Sequence, residues 1–268
     1  MIAIIKRALK DRRFIILVYG LGAMVFLWIY IVTYISFSKS MNFAELTKVM
    51  PEAMMKAFNI DLNTFNTLDG FLSTDPFAFL WPILMLFMVI SSAGGAIAGE
   101  IEKGTMELLL SLPVSRLKIY FAKYFSNLIG LVVFIILSVL TAIPIAKLHG
   151  QSVSSPHILL MALLGLIFGL AILGLGMFFS SLFNEKGKVY FATSGILIVM
   201  YVLNILASLK DSINDLKYAS FFYYYNPAKA LQYGEIDKYA FLVFIGVAVV
   251  FTVAGAIIFN KKDISSRV

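Results

Sequence analysis

The sequence predicts an all-α integral membrane fold. Six transmembrane helices are expected, with a short cytoplasmic helix between the second and third spans and an N-terminal amphipathic interfacial helix. Three observations lead there. The 268 residues are 60% hydrophobic and 14% charged, where a soluble domain is nearer half apolar and a quarter charged. The apolar residues gather into six long runs that contain no Asp, Glu, Lys, Arg or His. The Lys and Arg concentrate in alternate connecting segments, as the sidedness rule for membrane proteins requires.

The runs cover 14–37, 77–99, 124–146, 158–183, 189–209 and 240–259. Each reaches the roughly 20 apolar residues needed to cross a bilayer, and together they make 1–268 a single six-span domain. The first follows a basic N-terminus. It is longer than the 7–15-residue core of a signal peptide and no small-x-small cleavage pattern follows, so it is read as a retained span. Six spans put both termini on one side. With that side cytoplasmic, segments 1–13, 100–123, 184–188 and 260–268 hold 14 of the 22 Lys and Arg, including all five Arg. The outer segments 38–76, 147–157 and 210–239 hold the other 8 in a greater total length. The expectation is a multi-pass protein of the cell membrane with cytoplasmic N- and C-termini. The net charge of +7 is explained by these flanks and implies no nucleic-acid partner.

The connecting segments differ in character. In 1–13, Ile2, Ile5 and Leu9 fall on one helical face and Lys6, Lys10 and Arg13 on another. This suits a helix in the inner interface better than a plain basic flank. In 42–58, Phe43, Leu46, Met50, Met54 and Phe58 recur at helical spacing, and Pro51-Glu52 can open a second helix. Residues 220–234 are dense in Phe and Tyr; an interfacial aromatic belt is the preferred reading, an exit surface for a greasy substrate the other. Gly165 and Gly169, with Gly174, Gly176 and the 91–96 run SSAGGA, are packing residues that let helices approach closely.

Much chemistry is missing. Ion-coupled transport usually needs a titratable group at membrane depth, and the runs have none; Asn127 and Asn204 are read as interhelical hydrogen-bond partners. There is no cysteine, which excludes disulfides and thiolate catalysis. The two histidines, His149 and His157, lie in one outer loop, and H-E-x-x-H is absent. Ala192-Thr193-Ser194-Gly195 lacks a glycine of the rhomboid-type serine motif. A phosphate-cradling G-x-x-x-x-G-K-[ST] loop is absent too; Gly187-Lys188 is followed by Val189. No catalytic, cofactor-binding or metal residue is expected, and any energy must come from another chain.

The most informative stretch is 100–123, EIEKGTMELLLSLPVSRLKIYFAK. Residues 106–112 read as a short helix that stops before Pro113. Glu107 and Ser111 share a narrow polar arc, and Met106, Leu108, Leu109, Leu110 and Leu112 cover the rest. Gly104-Thr105 supplies a turn and a candidate N-cap. Periodicity leaves two readings open: a lever gripped by a soluble partner, or a helix afloat at the interface.

Glu100, Glu102, Gly104-Thr105, Glu107, Leu109-Leu110, Pro113-Val114-Ser115-Arg116 and Lys123 together resemble the signature of the ABC type-2 transporter permease family. Phe259-Asn260-Lys261-Lys262-Asp263-Ile264 resembles that family's C-terminal ending, with Lys262 where arginine is common, and Met54 to Leu72 resembles its outer segment. The motif is specific over about 24 residues, while the layout matches over nearly the whole chain. The resemblance implies the permease subunit of an ABC exporter, paired as a homo- or heterodimer with a second six-span subunit. It also implies two copies of a separate ABC ATPase subunit, which carry ATP and Mg and grip a coupling helix at about 105–112. The residues assigned to that ATPase contact are Glu100, Thr105, Glu107, Leu109, Leu110 and Arg116, with the charges pairing across it and the leucines filling an apolar groove. The uncharged spans and apolar outer segments suit a hydrophobic or amphipathic cargo, best a peptide toxin or peptide antibiotic. Drug, lipid and sodium exporters share the layout. A channel, or a membrane scaffold for a soluble partner, is the competing class.

Overall fold

The computed structural model describes residues 1–40 and 67–264. The expected outer helices in 42–58 and most of the 54–72 segment lie outside the described residues, as does Arg267. The described residues are helical with no strand, and six helical stretches are long and apolar enough to span a membrane.

Helix α1 runs Ile2–Ser40 without a break. At 1.5 Å per residue it is about 58 Å long, nearly twice a bilayer's hydrocarbon core. The amphipathic N-terminus is therefore helical, but it continues directly into the first span. Its buried stripe is Ile4, Ala8, Ile16, Gly20, Ala23, Leu27, Ile31 and Tyr34. The spacing of three and four residues is that of one helical face.

The second span (68–94) begins as α2 (Leu68–Ser73), capped by Thr67 Oγ1 accepting from Gly70 N at 3.1 Å. It passes a π-helical turn at Pro76–Leu80 and continues as α3 (Trp81–Gly94). The chain kinks after Gly94 and re-enters a helix as α4 (Ala98–Glu102), so the sequence's single run 77–99 is two helices. Gly104, at φ 71°, then turns the chain into α5 (Thr105–Leu110). That left-handed backbone suits glycine, which has no Cβ to clash.

Next come α6 (Arg116–Ile135), a π-helical turn at Ile136–Leu140 and α7 (Ala142–Leu148), which together make the third span. α8 (Ser155–Leu182) is the most enclosed helix, and α9 (Lys186–Leu209) is the least buried of the spans. A 3₁₀ segment Asp211–Ala219, α10 (Phe221–Tyr224) and a π-helical turn Lys229–Tyr233 lead to α11 (Ala240–Lys261).

The small residues pack within the chain. A Cβ on Gly165 would lie 2.6 Å from the Trp81 ring, and one on Gly174 would lie 2.9 Å from the Ala248 carbonyl of α11. The aromatic cluster also points inward. Phe221, Tyr224 and Tyr225 are buried. Tyr225 stacks on Phe168 at 4.5 Å, and Trp81 packs against Phe77 and Phe134. These rings plug the bundle between spans, while Phe222 and Tyr223 stay half-buried and Tyr233 is exposed. Ring packing of this kind is worth more than the buried area alone.

Candidate functional site

The segment 97–118 lies at the end of the bundle that carries residue 1 and residue 264. Its first half is fastened to the spans. Ser180 Oγ of α8 accepts from Ile97 N at 3.2 Å and Ala98 N at 3.1 Å, occupying free donors at the start of α4. Glu102 of α4 accepts from Lys186 N at 3.0 Å and so caps α9. Lys123, eight residues into α6, reaches back to Glu100 Oε1 at 2.5 Å, with side chains only 6% and 22% exposed. Thr105 Oγ1 donates to the other Glu100 carboxylate oxygen and to the Glu100 carbonyl.

Burial by itself would raise the Glu100 carboxyl. The hydrogen bonds from Lys123 and Thr105, and the charges of Lys123 and Arg12, outweigh burial and hold it below the ordinary carboxylate value.

The second half is divided between core and surface. Met106 is fully buried and Leu109 nearly so; both join the hydrophobic core, with Leu110 half-buried against it. Leu108 (68% exposed) and Leu112 (45%) point outward, beside exposed Glu107 and Ser111. A recess of about 280 Å³ opens next to α5, floored by Ile101, Met106 and Ile264 and rimmed by Glu102, Glu107 and Glu185. After Pro113, Ser115 Oγ accepts from Lys118 N at 3.4 Å and starts α6.

Arg116 donates to the Lys262 carbonyl. Lys262 Nζ in turn donates to the carbonyls of Ser181 (2.8 Å), Leu182 (3.2 Å) and Phe183 (2.8 Å). Those are the unpaired acceptors at the C-terminus of α8, where a cation is favoured. Burial pushes the Lys262 ammonium down to about 8.

The structure thus separates the six residues assigned from sequence. Glu100 and Thr105 face each other inside the fold, Leu109 belongs to the core, and Arg116 ties α6 to the end of α11. Of the six, Glu107 is exposed and Leu110 is half-exposed beside it. Leu108 and Leu112 were absent from the assignment. The stretch 106–112, with five apolar residues, gives no inside or outside until its anchor is known, and Met106 is that anchor.

Arg12 was also missed. It sits at the i+4 position of the row Ile4, Ala8, Arg12, Ile16, on the buried stripe. It donates to the Ser92 carbonyl of α3 and to Asn127 Oδ1 of α6. Its spacing within that row was the signal. Asn127 is an interhelical partner, since its amide nitrogen also meets Met177 Sδ of α8 at 3.5 Å. The Asn204 side chain makes no hydrogen bond among the described residues.

Residues 3–264 match the family model described as ABC-2 family transporter protein. No curated protein matches the chain.

Proposed function

The chain belongs to the ABC-2 transporter family and is a multi-pass membrane subunit of an ABC transporter, and from that premise we propose that it is the permease of an exporter driven through α4 and α5. Family membership implies partnership with an ABC ATPase. The observation that carries the reading is mechanical. The α4–α5 unit is joined to α8 by Ser180, to α9 by Glu102 and to α6 by Lys123, and α6 is in turn tied to the end of α11 by Arg116. A force on its outer face is passed to four spans together, while Leu108 and Leu112 remain exposed for a soluble partner. ATP and Mg belong on that ATPase, present in two copies. The acidic rim of Glu102, Glu107 and Glu185 around an apolar floor suits a partner knob that is apolar with basic neighbours.

The second six-span subunit sits against α9, the least buried span, and the two halves enclose the pathway. Between α3 and α9 runs a groove of about 250 Å³ with walls of Phe79, Ile83, Phe87, Leu197, Ile198 and Tyr201. A wall so poor in polar groups supports a hydrophobic or amphipathic cargo, best a peptide toxin or peptide antibiotic. The end that carries residue 1 faces the cytoplasm.

Two measurements test this reading. Co-purification with a P-loop ATPase, followed by turnover of the reconstituted complex against peptides, drugs, lipids and sodium, is expected to show stimulation by amphipathic peptides. Stimulation by sodium alone removes the peptide assignment, and the absence of any co-purifying ATPase removes the exporter. In intact cells, a cysteine at Ser152 is expected to react with impermeant thiol reagents and one at Ser111 to be protected; the reverse pattern inverts the orientation.

A further inference from the structure

A polar cavity of about 440 Å³ lies among the first turns of α1, the end of α3, α4, and the starts of α6 and α9. Arg7, Arg12, Lys103, Lys123 and Lys186 line it against Asp11 and Glu100, so five cations face two carboxylates, a surplus of three. The Lys123–Glu100 pair accounts for one cation and one carboxylate. Arg7, Lys103 and Lys186 stand exposed at the rim, with no ion pair among the described residues.

Arg12 forms the floor. Its Nη1 serves both Ser92 and Asn127, and its Nη2 and Nε have no acceptor among the described residues. A Cβ on Gly95 would lie 3.2 Å from Nη2, so a glycine there leaves room for the guanidinium. A half-buried guanidinium with unused donors, in a cavity with surplus positive charge, is arranged for an anion.

The cavity's position narrows that anion. Arg12 and Lys123 lie about 15 Å and 10 Å along their helices from the first residue of each. Long spans with charged first turns place that depth near the boundary of headgroup and acyl chains. Ile15 lines the cavity, and exposed Phe14, Ile15 and Val18 begin the apolar flank of α1 beside it. These surroundings suit an anionic head joined to an apolar tail. The planar fork of arginine matches the oxygens of a phosphate.

We propose that this cavity binds a phosphate group carried by the headgroup of an anionic glycerophospholipid, with its acyl chains along α1. The proposal goes beyond the exporter reading and depends on neither the ATPase nor the cargo.

The test uses the purified full chain in neutral detergent, with phosphatidylglycerol, phosphatidylcholine and inorganic phosphate as separate probes and native mass spectrometry as the readout. Phosphatidylglycerol is expected to bind more tightly than phosphatidylcholine and to weaken as salt rises. The triple change Arg7→Gln, Lys103→Gln, Lys186→Gln is expected to weaken phosphatidylglycerol about tenfold or more, since each cation near an anionic headgroup contributes. The triple change Lys6→Gln, Lys10→Gln, Arg13→Gln removes the same charge from the same end but off the cavity, and is expected to leave binding within about twofold. Arg12→Lys keeps the charge and loses the fork, so it should lower phosphatidylglycerol retention without changing its salt dependence. All the rim residues are exposed, and unchanged thermal midpoints will verify folding. Equal binding of the two lipids, or equal loss in both triple variants, overturns the proposal. Inorganic phosphate binding as tightly as phosphatidylglycerol makes this a free-anion site and overturns the lipid assignment.

Discussion

The two ends of this bundle are closed by different means. At the end formed by α2, α7 and α10, rings fill the space between spans. Phe134, Trp81, Tyr225 and Phe168 pack one on the next, and the polar atoms of Trp81 and Tyr225 are satisfied internally. Trp81 Nε1 donates to Ser138 Oγ at 2.9 Å, and the Tyr225 hydroxyl donates to the Phe77 carbonyl at 2.9 Å. Asp69 accepts from Ser154 N at 3.1 Å, which fastens α2 to the start of α8.

The opposite end is held by a few charged contacts around open volume: Glu100 with Lys123, Arg12 with Asn127, Lys262 with the end of α8. A close-packed aromatic end resists small displacements, because dispersion falls off steeply with separation. A charge-latched end can exchange one partner for another. The difference places stability at the aromatic end and rearrangement at the charged end.

The largest effect belongs to the aromatic end. Trp81→Ala empties a fully buried site and should cost about 3–5 kcal/mol, read as a lowered thermal midpoint in detergent. ATPase binding per folded molecule should stay normal. If Trp81→Ala left stability intact but abolished the partner, the division between the ends would be wrong. Next comes the latch. Glu100→Gln leaves the Lys123 ammonium enclosed without its counter-charge and should cost about 3 kcal/mol. Adding Lys123→Met should recover most of it. A loss below about 1 kcal/mol would mean that the pair behaves as a surface salt bridge.

A smaller effect separates binding from stability. Leu108→Ala with Leu112→Ala removes two exposed side chains, so the thermal midpoint should not move. Partner pull-down should weaken about tenfold or more if both leucines are buried in the contact. Leu148→Ala, at a still more exposed leucine of the opposite end (83% exposed), should change neither. Normal pull-down by the double variant would return α5 to being an interfacial helix.

The sequence and the structure agree where the signal is long. Six apolar runs without a charge can hide their backbone only as helices, so the number of long apolar helices was legible, although the first three begin 12, 9 and 8 residues before their runs. The break after Gly94 was not, because the SSAGGA stretch carries no charge or proline and its small residues also suit close helix packing. The division of 105–112 into inner and outer leucines was illegible because every candidate is apolar. The inward turn of 221–225 was hidden for a related reason, since Phe and Tyr suit a lipid interface and a core equally. Lys123 and Arg12 flank apolar runs in the sequence, yet helices that extend beyond the bilayer core carry them between neighbouring spans.

The acid side of the pH profile gives the smallest and most specific comparison. Glu100 is held below the ordinary carboxylate value by Lys123 and Thr105 despite its burial. A carboxyl with a depressed folded pKa gives stability that is fully present above the unfolded value, about 4.3 for Glu, and is lost as pH falls through the folded value. In that window the unfolded chain binds more protons than the folded one, so stability rises with pH. Thermal midpoints measured downward from pH 6 should therefore fall more steeply in the wild type than in Glu100→Gln, and the two curves should converge once Glu100 is protonated. No matching change in slope is expected from Trp81→Ala, which lowers the whole curve and leaves the proton inventory alone. Parallel curves for wild type and Glu100→Gln would mean that the latch carries no net charge effect, and the two ends would then differ in packing alone.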